Sequence, residues 1–257
     1  PYTTLFRSAV AAALGAVAVA GRPAPGRPLP TGGAVTSIFE QAMGEEFGRL
    51  HPMLQRRFGV GLDAGYGCVG RGTMSRIRRG PWWTAPFLQF GRLRNILVPD
   101  TGSDVPFVIH NYPYRDPLGR EAVTFVREYD LRGRTRRFDA TMISAAGGGV
   151  VDYLGTHQHL AVDLELRAEP DGSLHLRSDA QRFYEGVVGF RFPMLFSGRA
   201  DLREQYDDEA GVFRIDLEVV NPVFGFLFGY DGEFTCEFFD ADDAPERLKP
   251  RRYERRS

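Results

Sequence analysis

Apolar and polar side chains alternate with a period of two over most of the chain after residue 67. The clearest run is 159–167, in which leucine and valine alternate with charged residues and histidine, a pattern typical of a half-buried strand. Turn sequences at 169–172 (Glu-Pro-Asp-Gly) and 207–211 each lead into another alternating run. Weaker alternation predicts further strands over residues 104–114, 121–131 and 136–145.

The order of these strands predicts the architecture. Strands joined by short turns pair antiparallel, and a sheet of many strands must curl or close. Before the strands, Ser37 and Glu40 form a capping-box pattern at the start of an amphipathic helix, and a second short helix is predicted to end at Gly59. The sequence therefore predicts a mainly β (α+β) fold: a large antiparallel sheet curled into a barrel or half-barrel, with a short N-terminal helical segment.

Three aromatic runs interrupt the alternation, at residues 81–90, 190–196 and 222–230. Each contains glycine or proline and is predicted to be a helical or irregular insertion, too apolar to lie in water. Two interpretations stay open: the runs fill the core, or they form a hydrophobic mouth over a ligand cavity. Under the second interpretation, the predicted ligand-binding residues are Trp82, Trp83, Tyr112, Phe190, Phe192, Phe226 and Tyr230.

Composition and charge exclude several classes of function. The 257 residues carry 32 basic and 33 acidic side chains, so there is no basic excess for binding nucleic acid. Lys249 is the only lysine, which argues against Schiff-base and P-loop chemistry, and two cysteines are too few for a zinc site. We expect no cofactor, no metal and a cytoplasmic protein. The apolar run 9–20 is too short for a transmembrane segment.

The first 34 residues are expected to lie outside the folded domain. The opening PYTTLFRS resembles a translated sequencing adapter, and residues 21–33 have the proline and glycine content of a linker. The prediction is a non-domain segment over 1–34 and a single β-rich domain over 35–257, with a charged C-terminal tail from about residue 241.

Catalytic motifs are scarce. The sequence GYGCVG at 65–70 matches a dinucleotide-binding pattern, but a strand-like run follows it instead of a helix. His110 lies in the middle of a predicted strand, as either a core histidine or a proton carrier. Arg127 and Glu204 each fall on an otherwise apolar strand face, where a charge needs a partner. That partner is the other residue, a third residue or a ligand, and a purely structural ion pair is an equal alternative.

Several segments together resemble the bacterial domain-of-unknown-function family numbered 4166. The resemblance covers about residues 36–240 and rests on the order and spacing of SIFEQAMGEEFGRLHPMLQRRFG, GRGTMSRIRRG, DVPFVIHNY and FRIDLEVVNPVFGFLFGYDGEF. Arg127 and Glu204 match a strand arginine and a strand glutamate of that family, and Tyr230 begins its Tyr-x-Gly. Phe125 stands where the family has Trp. The resemblance implies a Rossmann-type reductase domain as a fusion partner in some relatives, but no activity.

Two hypotheses of function follow. The favoured one is a non-enzymatic domain that binds a small hydrophobic or amphipathic molecule in a β-barrel cavity. The alternative is a cofactor-independent acid–base enzyme of the cyclase, isomerase or hydratase type, which uses His110 with Arg127 or Glu204.

Overall fold

The computed structural model describes residues 37–84, 100–145, 147–185, 188–191 and 198–256, with the backbone alone at 185, 188, 190 and 191. The segment 1–34 lies outside these residues, so its separation from the domain stays a prediction. Helix α1 (Ile38–Met43) begins at Ser37, whose hydroxyl accepts a hydrogen bond from the Glu40 backbone, and a 3-10 helix (Gly44–Arg49) follows it. Helix α2 (Pro52–Phe58) ends at Gly59, as predicted.

The rest of the described chain is dominated by one antiparallel sheet. Its strands are β1 (Tyr66–Arg79), β2 (Gly102–Asn111), β3 (Pro113–Arg115), β4 (Glu121–Thr124), β5 (Val126–Leu131), β6 (Arg134–Phe138), β7 (Ala140–Ser144), β8 (Val150–Leu154), β9 (Leu160–Ala168), β10 (Leu174–Glu185), β11 (Val188–Arg191), β12 (Arg199–Asp207), β13 (Val212–Asn221) and β14 (Gly225–Asp240). The fold class is confirmed.

The strand pairings run around the sheet and return to their start. β1 pairs with β14 on one side and with β2 on the other. Three bent strands continue the circle: β2 with β3, β4 with β5, and β6 with β7, each broken by a single residue. Hydrogen bonds bridge these breaks, from the Thr124 N–H to the Tyr112 carbonyl (2.9 Å) and from the Phe125 N–H to the Ala140 carbonyl (2.8 Å).

The circle of pairings is interrupted in two places. Among the described strands, β6 pairs with β5 alone, and β10 from Ser178 onward pairs with β9 and β11 instead of β12. The sheet is therefore a half-barrel, curled round on itself and open along these two stretches. A bulge between Ser178 and Gln181 accompanies the second opening, as expected where a strand bends away from its neighbour.

Directly paired residues of an antiparallel sheet point to the same face, so the registers define the inner face of the half-barrel. The inner face carries the main apolar core, which includes Ile109, Met142, Leu217 and Phe234. Gly70 and Gly72 of β1 make room for this core, because a Cβ at either position would lie within 3 Å of Phe234. The glycines that resemble a dinucleotide motif therefore end in a close-packed strand.

The helices pack at one end of the half-barrel. The His51 N–H donates to the Gly172 carbonyl (2.8 Å), and the His51 ring lies 3.2 Å from the Asp208 carboxylate, so both hairpin turns 169–172 and 207–211 meet the helices. β1 begins at this end and β13 also begins there. Their far ends, with the segment 80–84 and the turn 222–224, lie at the opposite end, which we call the open end.

The structure corrects two expectations about the aromatic runs. Trp82 is 79% exposed and Trp83 is 50% exposed, because both follow the last β1–β14 ladder pair and lie on a short 3-10 turn off the sheet. They are not too apolar to lie in water. The run 222–230 is mostly regular strand, and its Phe228 and Tyr230 are buried. Most of the other two runs lies outside the described residues.

The charged C-terminal segment packs against the outer face. Ala244 and Tyr253 join a second apolar cluster with Tyr114, Ile143 and Tyr153. The buried Glu254 carboxylate accepts hydrogen bonds from the guanidinium groups of Arg252 and Arg256 and from nearby backbone N–H groups. No helix among the described residues is long and apolar enough to cross a bilayer.

Candidate functional site

A fully buried ion pair joins helix α2 to the inner face. The Arg57 side chain is 1% exposed and donates from Nε to the Glu204 carboxylate on β12. Its Nη1 donates to the Asn111 side-chain oxygen at 2.7 Å, and its guanidinium lies 4.9 Å from the centroid of the Phe234 ring. Burial alone lowers the pKa of Arg57, but Glu204 and two neighbouring thiols outweigh it and raise this pKa. The arginine is therefore permanently charged and well partnered.

The two cysteines belong to the same cluster. Arg57 Nη1 lies 3.6 Å from Cys68 Sγ and 3.9 Å from Cys236 Sγ. A hydrogen bond from Cys236, opposed by burial and helped by Arg57, lowers the pKa of Cys68; the same hydrogen bond and burial raise the pKa of Cys236. The guanidinium and the carboxylate are thus partnered within this group, and the Asn111 amide also donates to the Thr124 carbonyl, as expected of a structural network.

A second arginine on the inner face is differently placed. Arg127 is 6% exposed and is paired in register with Ile109 and Phe138, both members of the main core. Its Nη1 donates to the Phe125 backbone carbonyl at 3.3 Å, and its guanidinium lies 4.8 Å from the Phe138 ring centroid. Its Nε has no hydrogen-bond partner, and within the described residues no carboxylate forms an ion pair with it.

Asp152 is a buried carboxyl group whose pKa is affected by the charge of Arg127. It lies on β8 between Met142 and Val162, on the same inner face, and its Oδ1 has no hydrogen-bond partner in the described part of the chain. Burial raises the pKa of Asp152 to about 7, and the positive charge of Arg127 only partly opposes this rise. The carboxyl group therefore changes its protonation state near neutral pH.

Two tyrosine hydroxyls on the inner face belong to the same region. Tyr129 and Tyr230 are both buried, with ring centroids 5.9 Å apart, and neither hydroxyl has a hydrogen-bond partner among the described residues. Burial is the main reason that the pKa of Tyr129 is raised well above its usual value, so this hydroxyl stays protonated. Tyr129 lies two residues from Arg127 on the same strand face.

The structure does not bring the three catalytic candidates together. His110 is buried, but it alternates with the inward residues Ile109 and Asn111 and so lies on the outer face, where its Nε2 is 3.5 Å from the Glu128 carboxylate. Arg127 and Glu204 lie inside, as their strand patterns predict. They do not pair with each other, because Glu204 is bound by Arg57.

The ligand-binding candidates are spread over several surfaces. Trp82 and Trp83 are exposed at the open end, with ring centroids 6.0 Å apart. Phe226 is half-buried near the same end, under the Arg78 guanidinium. Tyr230 is on the inner face, whereas Tyr112 packs against Phe239, with ring centroids 4.9 Å apart. The Phe190 side chain and all of Phe192 lie outside the described residues.

A groove of about 650 Å³ lies on the outer face of β9, β10, β12 and β13. Its lining is mostly charged, with Val220 at one side, and the predicted aromatic ligand contacts do not border it. The residues that line the groove are Glu165, Arg177, Ser178, Asp179, Arg199, Asp201, Asp216, Glu218 and Val220.

Comparisons with known proteins place this fold in a family. A model of the family described as "Domain of unknown function (DUF4166)" matches residues 50–234, which include both inner-face arginines. The chain belongs to the DUF4166 family. The DUF4166 chain is also 30% identical over 206 residues to uncharacterized protein YndH of Bacillus subtilis (strain 168), covering 79% of this chain and 98% of YndH. No solved structure matches it. The resemblance found in the sequence is confirmed.

Three buried polar residues of this DUF4166 domain are not among the site residues predicted from the sequence. Arg57 lies three residues after Leu54 and one before Phe58, at helical spacing that places it on the apolar side of α2. Asn111 continues the inward alternation of β2, and Asp152 is a lone carboxyl group in an apolar strand. The signal for each was a polar residue at a position where the pattern requires an apolar one.

Proposed function

We propose that this DUF4166 domain binds a small hydrophobic or amphipathic molecule that enters the half-barrel at its open end. The observation that carries the proposal is the position of the exposed apolar side chains. Trp82, Trp83, Val220 and Val223 are the large apolar residues that are exposed among those described; both tryptophans and Val223 belong to the open end, and Val220, near the end of β13, also borders the outer-face groove. Exposed apolar groups gathered in one region are typical of binding surfaces.

The interior next to this end favours the same function. The inner face is lined by apolar side chains, but it also holds buried polar groups that have no partner in the described part of the chain. Such groups cost free energy in an apolar interior and are better satisfied by a molecule with a polar part. An amphipathic ligand fits both features.

Tryptophan fluorescence tests the proposal, because Trp82 and Trp83 are the only tryptophans and both report on the open end. We expect decanol, decanoate or a polycyclic aromatic to change their emission saturably, and the ligand to raise the thermal midpoint. Trp82→Ala should weaken the binding while Trp83 still reports it. Flat titrations across all three compounds, with no thermal shift, would overturn the proposal.

The alternative, an acid–base enzyme, is supported by Asp152 and not by His110. A buried carboxyl group whose pKa is about 7 suits general acid–base catalysis at neutral pH, and Arg127 could stabilise a developing oxyanion. The test is deuterium exchange at the carbon next to the carbonyl group of cyclic ketones, followed by NMR. Exchange that disappears in Asp152→Asn would support the enzyme; its absence across the panel would argue against it.

A further inference from the structure

Among the residues that the structure describes, Arg127 is a buried cation without a counter-ion. Removing a guanidinium from water costs several kcal/mol unless an opposite charge or a full set of hydrogen bonds compensates. Within the described residues, Arg127 has one hydrogen bond, to the Phe125 carbonyl just before its own strand, two aromatic rings beside it, and an Nε without a partner. A group left in this state on a strand face next to the core is incomplete as a structural element.

Asp152, the carboxyl group closest to serving as a counter-ion for Arg127, does not form an ion pair with it. Asp152 feels the charge of Arg127, yet the two form no ion pair among the described contacts, and burial keeps Asp152 partly protonated at neutral pH and mostly protonated below it. In that form Asp152 donates a hydrogen bond. Its neighbours in register, Met142 and Val162, are apolar, and within the described chain Arg127 is the charged group whose field reaches it.

The polar groups on this part of the inner face are therefore mainly donors. Arg127 offers N–H groups, protonated Asp152 offers an O–H, and Tyr129 and Tyr230 offer hydroxyls for which the described residues supply no acceptor. A set of buried donors around one uncompensated positive charge is complementary to an oxyanion. A neutral head group would leave the charge of Arg127 unpaired.

We propose that the ligand of this half-barrel is an apolar-tailed organic anion, whose carboxylate, sulfonate or phosphate head binds between Arg127 and Asp152. This inference rests on the proposed function. Because a bound anion favours the protonated form of the neighbouring carboxyl group, binding takes up a proton. Affinity therefore falls as the pH rises above neutrality.

A pair of ligands that differ only in the head group tests this assignment. Decanesulfonate stays ionised at every working pH, and decanol carries no charge. By isothermal titration we expect decanesulfonate to bind at least about tenfold more tightly than decanol, as expected for a buried charge-assisted contact. Arg127→Met should abolish the difference, and Arg127→Lys should restore part of it. Arg167→Met, which removes an exposed charge, is the control and should leave it unchanged.

The proton uptake is a second, independent readout. Decanesulfonate should bind about tenfold more weakly at about pH 8 than at about pH 6, and titrations in buffers of different ionisation enthalpy should show a proton taken up. Asp152→Asn should remove both effects but keep binding. If decanol and decanesulfonate bind equally, and Arg127→Met changes neither, the anion assignment is wrong and the proposed function stands. If neither ligand binds, and decanoate and the polycyclic aromatic also leave the tryptophan emission unchanged, both are wrong.

Discussion

Two arginines are buried in the same half-barrel, and their surroundings differ. Arg57 binds the Glu204 carboxylate, the Asn111 amide and two thiols. Arg127, equally inward, has a backbone carbonyl and two aromatic rings, and one oxygen of the carboxyl group within its field has no partner among the described residues. The first arginine comes from a helix that must be fixed to the sheet. The second comes from the sheet itself, which needs no such link.

This difference separates a polar network that holds the fold from one that is available for binding. A buried network in which every group has a partner specifies how its elements pack. Removing one partner destabilises the fold, because the remaining group is left buried and uncompensated. An incomplete network costs stability and is retained where function requires it. Of two arginines buried beside the same core, Arg57 therefore stabilises the fold and Arg127 costs stability.

The largest expected effect comes from removing the two arginines in parallel. Arg57→Met leaves Glu204 buried without its cation and should lower the free energy of unfolding by about 3–5 kcal/mol. Arg127→Met removes a charge that lacks a carboxylate partner and should cost less than about 1 kcal/mol or stabilise the protein. Urea unfolding of both variants measures the difference.

The double variant Arg57→Met with Glu204→Leu is the control for this pair. Replacing both charges with apolar groups should recover most of the loss, because no buried charge is left uncompensated. Equal losses in Arg57→Met and Arg127→Met would contradict the distinction between the two networks.

The next effect is a dependence of stability on pH that Asp152 imposes. Its pKa in the folded protein is about 7, above the value of about 4 in an unfolded chain, so the folded state holds the proton more tightly. Stability from this group is fully present below about pH 4 and is lost as the pH rises to about 7. Asp152→Asn should remove this loss, making the variant more stable than the wild type above neutral pH by up to about 4 kcal/mol.

Denaturation midpoints between about pH 4 and about pH 8 test this prediction. Asp163→Asn on the neighbouring strand is a suitable control, because that carboxylate is half-exposed and bound by Arg182. A wild-type curve that keeps rising through neutrality, parallel to that of Asp152→Asn, would show that Asp152 is ionised in the folded state.

The sequence predicts the sheet better than it predicts these networks. Period-two alternation depends only on which face a residue occupies, so it locates the strands and the inward position of Arg127 and Glu204. It does not identify the partner of Glu204, since Arg57 is 147 residues away and reaches it only through the docking of α2. The face of His110 could be read from the alternation with Ile109 and Asn111, but its burial depends on Glu128 and other outer-face groups.

Exposure at strand ends is similarly hard to predict. Apolar composition indicates burial only on average, and Trp82 and Trp83 lie beyond the last ladder pair, where no neighbouring strand covers them. Asp152 was visible as a carboxyl group among apolar residues, but its protonation depends on the depth of burial, which no local pattern gives.

A smaller effect is expected from the acidic group of the C-terminal segment, which extends the comparison to the outer face. Burial opposes the ionisation of Glu254, but Arg256, Arg252 and backbone N–H groups outweigh it and lower its pKa to about 2. Like Glu204, Glu254 is a buried carboxylate that is bound by arginine. Glu254→Gln should cost about 1–3 kcal/mol at neutral pH.

The lowered pKa of Glu254 means that its contribution is present above about pH 4.5 and is lost as the pH falls towards 2. Thermal unfolding of Glu254→Gln and wild type should therefore converge in acid. Glu246→Gln in the same segment is the matched control: its exposed contact with Lys249 should contribute less than about 1 kcal/mol. If Glu254→Gln is as stable as this control, the contacts of Glu254 do not contribute to the stability of the fold.

The smallest expected effect separates a paired hydroxyl from an unpaired one. Tyr153 donates to the Arg256 carbonyl at 2.7 Å, whereas the Tyr230 hydroxyl has no hydrogen-bond partner among the described residues. Tyr153→Phe leaves that carbonyl without its donor and should cost about 1 kcal/mol. Tyr230→Phe removes a buried polar group that is already unsatisfied, so stability should stay within about 0.5 kcal/mol or rise.

With decanesulfonate bound, however, Tyr230→Phe should lose more of the ligand-induced rise in thermal midpoint than Tyr153→Phe, because only the inner-face hydroxyl can reach a molecule inside the half-barrel. The opposite order would place the ligand on the outer face.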